Sequence, residues 1–287
     1  MTNNQISPEQ SSGILNLAEV HKQTGQHDVA AALLRQSIEE FPCFDAAYHA
    51  LGLIAFETGN LVQAVELIVQ AITIDPANGL YHRNLGELCR RLGRLNEAIL
   101  AGGRATQLIP HDVDAHFNLG LAFSDNGDWL QAAAAYNRAL MLNSEHGLSW
   151  NNLGVALERS KQFTQAGEAY AKAAGLNPMH AEAHLNLALL FRREGQLAQA
   201  QHHFDIARTI APDLVEKLGA SLNNTLASID PPDVSMRDTQ TVKGRGVFAE
   251  RDFAAGELVE TSAVVLLNTP FADLPVESQT IALNWGA

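Results

Sequence analysis

The sequence predicts a mainly α-helical solenoid followed by a small, incomplete β-rich segment. Three observations carry this expectation: a 34-residue period running without gaps over residues 11–214, two stretches of helical apolar spacing in each period, and a change to strand-type patterning after residue 241.

The first ten residues are polar and read as a tail. Starting units at Ser11, Asp45, Gly79, Val113, Gly147 and Ala181 places Leu17, Leu51, Leu85, Leu119, Leu153 and Leu187 at the seventh position. The same frame places Ala30, Ala64, Ala98, Ala132, Ala166 and Ala200 at the twentieth. Gly or Ala also fills the eighth position, from Ala18 to Ala188, so the two helices of a unit can approach closely. Gly25, Gly59, Gly93, Gly127 and Gly195 separate the helices and supply the left-handed turn that ends the first, while Lys161 holds that place in the fifth unit. Pro42, Pro76, Pro110, Pro178 and Pro212 close the units because proline cannot continue the second helix. Tyr136, Tyr170 and Phe204 fill position twenty-four, where Gly102 predicts a less well filled third unit. Residues 213–227 read as a capping helix, 228–241 as a Pro-containing linker, and 242–287 as short strands and turns with one terminal helix.

The Leu, Gly, Ala, aromatic and Pro positions over 11–214 resemble the tetratricopeptide family. That resemblance implies a superhelix whose first helices line a concave groove for a peptide or protein. Asn16, Asn84, Asn118, Asn152 and Asn186 recur at position six and resemble an asparagine ladder. Its chemistry is plausible because an amide both donates and accepts, and so can pair with a peptide main chain; the other reading is that these amides bond neighbouring helix backbone. Asn84, Asn118, Asn152 and Asn186 are therefore candidate peptide contacts. Arg83, Arg90 and Arg91 near the same face favour an acidic ligand or form an ordinary solvated face. The family's carboxylate-clamp arrangement is not reproduced.

Composition narrows the partners. A formal net charge of -13 argues against phosphate backbones, whose affinity comes from clustered Lys and Arg. A polar amino terminus without a basic start and apolar run predicts a cytoplasmic chain, and no membrane span is expected. Cys43 and Cys89 form no CxxC pair and are expected to be buried thiols. His180 with His184, and His202 with His203, supply too few ligands for a metal site.

In the last segment, Lys243-Gly244-Arg245-Gly246-Val247-Phe248-Ala249 followed by Ala255-Gly256-Glu257-Leu258-Val259-Glu260 resembles the start of a SET-domain lysine methyltransferase. The resemblance implies that main-chain groups of Lys243, Gly244, Arg245 and Gly246 approach S-adenosylmethionine. It assigns no catalytic residue, because the family's Asn-His segment and late tyrosine are not found within residues 242–287. The chain alone is therefore expected to be inactive, with a C-terminal SET half supplied in trans as a second partner. The alternative is a purely non-enzymatic scaffold with a SET remnant or SAF-like β-clip.

Overall fold

The computed structural model describes residues 6–216, 234–238 and 245–249. The chain divides into two compact units, Met1–Pro178 and Met179–Ala287.

The first unit contains five helical hairpins: α1 (Pro8–Gln23) with α2 (His27–Glu40), α3 (Asp45–Glu57) with α4 (Leu61–Ile74), α5 (Gly79–Arg91) with α6 (Leu95–Leu108), α7 (Val113–Asp125) with α8 (Trp129–Leu142), and α9 (Gly147–Arg159) with α10 (Phe163–Leu176). Helix α1 begins three residues before the repeat frame because its start is chemically marked. Pro8 occupies the first turn, the Ser7 hydroxyl accepts from the Gln10 amide at 3.2 Å, and the Gln10 side chain accepts from the Ser7 amide at 3.1 Å.

Within this unit α2 packs against α3, α4 against α5, α6 against α7 and α8 against α9, and first helices also touch one another, α1 on α3, α5 on α7 and α7 on α9. The periodic alanines are the reason. Ala30, Ala64, Ala98, Ala132 and Ala166 are fully buried, where a larger side chain would push the helices apart. Gly102 does not leave the third unit underfilled. A Cβ on Gly86 would lie 3.2 Å from the Gly102 nitrogen, so the α5 and α6 backbones close on each other, and Leu119 comes within 3.2 Å of the Gly102 Cβ position. Close approach replaces the aromatic ring.

The turn glycines at 25, 59, 93, 127 and 195 have φ between 72° and 84°, and Lys161 adopts φ 63° in their place. A left-handed residue with a Cβ costs about 1–2 kcal/mol, partly offset by the greater unfolded-state freedom of glycine. Replacing Lys161 with Gly is therefore expected to stabilise the chain by roughly 0.5–1 kcal/mol. A higher urea midpoint for Lys161→Gly checks this; an unchanged or lower midpoint refutes it.

Cys89 is buried, and burial pushes its thiol pKa up, whereas Cys43 is exposed, contrary to expectation. In the turn after α2 the buried places are taken by Phe41 and Phe44, which leaves Cys43 outside.

In the second unit, α11 (Ala181–Arg193) pairs with α12 (Leu197–Ile210). Residues 212–216 are helical, and Val215 is buried against Leu185 and Ala207, which is how a cap covers the last apolar face. The rest of the expected capping helix lies outside the described residues. Strand β1 (Val234–Asp238) pairs antiparallel with β2 (Arg245–Ala249), Val234 opposite Ala249 and Asp238 opposite Arg245. One strand falls in the stretch read as linker, the other in the glycine-containing motif.

Candidate functional site

The row of first helices in the first unit brings together the asparagines at position six. Asn84 on α5, Asn118 on α7 and Asn152 on α9 are all half-buried, but their amides are not equivalent. The Asn84 amide nitrogen lies 2.8 Å from Nε2 of His49, one repeat earlier. An amide nitrogen only donates, so Asn84 donates to Nε2 of a neutral ring; burial and the nearby Arg83 charge hold the His49 pKa down at about 4. The His49 ring also lies against Tyr81, tilted by 34° with ring centroids 4.7 Å apart, and the Tyr81 hydroxyl donates to Asp45 at 2.8 Å. By contrast, the amides of Asn118 and Asn152 bond to no other residue among those described.

Among the described residues the Asn16 amide donates to Ser12 alone, at 3.5 Å. Asn186, on α11, belongs to the second unit and is half-buried.

The three arginines are engaged within the protein. Arg83 donates to both carboxylate oxygens of Asp112, at 2.9 and 3.1 Å, with Asp114 at 3.6 Å. Arg90 bridges Glu87 at 2.9 Å and Asp125 at 2.6 Å. Arg91 bonds Glu87 at 2.6 Å and lies over the Phe56 ring, 4.7 Å from its centroid. Two arginines hold the Glu87 carboxyl below its ordinary pKa against the opposing effect of burial. The Glu87 pairs lie within α5, whereas Arg83 with Asp112 and Asp114, and Arg90 with Asp125, tie α5 to the next repeat.

Sequence reasoning missed three further residues on the same face. Leu121 follows Asn118 by three positions, Leu148 precedes Asn152 by four and Val155 follows it by three, offsets that share a helix face. The signal was available in that spacing.

In the second unit, Nδ1 of His184 lies 3.0 Å from Nδ1 of His203, and the rings stack with centroids 5.3 Å apart. Burial and the neighbouring histidines lower the His203 pKa. No group of three His, Cys, Asp or Glu among the described residues converges as a metal site. Lys243 and Gly244 lie outside the described residues, while Arg245 and Gly246 are in β2, Gly246 opposite Arg237. No helix among the described residues is long and apolar enough to cross a membrane.

No curated protein matches the chain by sequence. Among solved structures it is similar to PilW, a type IV pilus biogenesis factor, at 19% identity and TM-score 0.66, over 74% of this chain and 99% of that one. It is also similar to PilF of Pseudomonas aeruginosa at 21% identity and TM-score 0.64, over 74% and 97%. YrrB, a TPR protein with an unusual peptide-binding site, matches at 20% identity and TM-score 0.55, over 66% and 97%. At these identities the likeness is one of fold. The tetratricopeptide repeat profile itself matches residues 15–79, 49–113, 102–140, 117–178 and 161–214, and the chain belongs to the tetratricopeptide repeat family.

Proposed function

We propose that the chain is a protein-interaction scaffold whose first-helix row holds an extended segment of a partner protein, with Asn118 and Asn152 pairing with its main chain. The observation that carries this reading is the contrast in amide use: Asn84 is committed to His49, whereas the two amides on α7 and α9 remain unspent and half-exposed. Each presents a donor and an acceptor, so a peptide backbone satisfies both whatever its side chains. The peptide-binding site named for YrrB supports the same reading by analogy of fold.

Peptides selected from a random displayed library against residues 1–287 provide the test. Each net hydrogen bond contributes about 0.5–1.5 kcal/mol, so Asn118→Ala with Asn152→Ala is expected to weaken binding by about 5- to 150-fold. Helicity should be unchanged. Unaltered affinity in a folded double variant would leave the two amides without a ligand role.

For the C-terminal segment, the SET-type reading rests on the Lys243–Ala249 motif and on extended backbone at Arg245–Ala249. Gly246, lacking a Cβ, suits close main-chain approach. In that reading, backbone groups of residues 243–246 would hold S-adenosylmethionine, which supplies a methyl group for a lysine amine. Equilibrium dialysis of the labelled cofactor against residues 1–287 and against a chain ending at residue 227 tests it; equal uptake by the two removes the reading.

A further inference from the structure

The side chains around the two unspent amides define what kind of segment the row takes, an inference that rests on the peptide reading above. Leu148 is 50% exposed, and Leu121 and Val155 are half-buried on the same faces as Asn118 and Asn152. A single exposed leucine is ordinary, but here three aliphatic side chains share the faces that carry two amides with no partner.

The charges nearby point the same way. Arg83, Arg90 and Arg91 are met by Glu87, Asp112, Asp114 and Asp125, three guanidinium groups against four carboxylates. Arg159, at the end of α9, is held over the Trp129 ring at 5.6 Å. An acidic ligand would compete with internal carboxylates for the α5 arginines while approaching a chain of net charge -13. A cationic ligand would compete with the same arginines for their carboxylates. An uncharged one disturbs neither set of pairs.

We infer that the occupant is an extended, uncharged segment of another protein carrying aliphatic side chains on alternate residues. In an extended chain every second side chain faces the same way, so one face can lie on Leu121, Leu148 and Val155 while the main chain meets Asn118 and Asn152.

Three fluorescein-labelled octapeptides with identical termini test this by fluorescence polarisation on the full chain: one alternating valine and serine, one all serine, and one alternating glutamate and serine. The valine probe is expected to bind at least about tenfold tighter than the glutamate probe, with the all-serine probe between them. Leu148→Ser with Val155→Ser should bring the valine probe down to the all-serine affinity without loss of helicity. If Asn118→Ala with Asn152→Ala weakens every probe but the glutamate probe binds tightest, the peptide reading stands and the aliphatic inference is overturned. If the probes bind and the asparagine variant changes none of them, the peptide reading itself falls. Absence of binding by all three at about 1 mM overturns both.

Discussion

Gly154→Ala is expected to destabilise the array by about 2–3 kcal/mol, although alanine is the better helix former. A Cβ at this position would stand 2.5 Å from two ring carbons of Tyr170, a separation no packed carbon pair tolerates. The ring has little room to yield. Tyr170 is 1% exposed, and its hydroxyl donates to Glu158 at 2.8 Å, with burial and that carboxylate raising its pKa. Gly120 faces Tyr136 in the preceding repeat with the same 2.5 Å separation, so Gly120→Ala should behave alike. Gly103→Ala is the control: nothing lies within 4 Å of its Cβ position inside α6, and a gain of about 0.5–1 kcal/mol is expected. Urea unfolding followed by circular dichroism compares the midpoints, and adding Tyr170→Leu to Gly154→Ala should recover part of the loss through coupling of touching sites. Equal midpoints for Gly154→Ala and Gly103→Ala would show that the ring does not set the helix spacing.

This result also bears on what a sequence discloses. The period, the turn glycines and the small residues at position eight are legible because each repeats one local requirement, and repetition separates requirement from accident. Lys161 could be placed in a left-handed turn for the same reason, since five glycines mark its position in the other units. Gly102 was harder. A missing aromatic reads as a void, because sequence order does not reveal that α5 and α6 close until Gly86 meets the Gly102 backbone.

The candidate site was legible as a set but not as individuals. The asparagines look equivalent in the repeat frame, yet only Asn84 has a histidine at position five of the preceding unit. Arg83 and Arg90 look like available groove cations until the fold brings Asp112 and Asp125 to them from 29 and 35 residues away. Those pairings depend on how one hairpin sits on the next, a distance that helical periodicity within one hairpin does not contain. Carboxylates about one repeat further along were nevertheless a readable hint, and they turn apparent ligand-binding charges into structural ties.

The His49 link predicts a loss of stability in mild acid. Its folded pKa of about 4 lies below the ordinary 6.5, chiefly because burial penalises the imidazolium, with Arg83 opposing it further and Asp45 partly offsetting both. The sign follows from proton uptake: as pH falls below 6.5 the unfolded chain binds a proton at this histidine while the folded chain does not, so the balance moves toward unfolding until pH approaches 4. At pH 5 the loss from this group is at most about 2 kcal/mol relative to pH 7. Carboxylates with pKa values held low, such as Glu19 and Glu87, contribute little in that window, because from an ordinary value of 4.5 downward they remain largely ionised in both states. The comparison therefore isolates histidine. His49→Phe removes the titrating group and retains a ring against Tyr81, while the half-exposed Asn84 amide turns to water. Thermal unfolding at pH 7 and pH 5 should show a smaller fall in Tm for His49→Phe than for the unaltered chain. The same fall in both would mean that His49 takes up its proton as readily folded as unfolded, against the lowering expected from its burial and from Arg83.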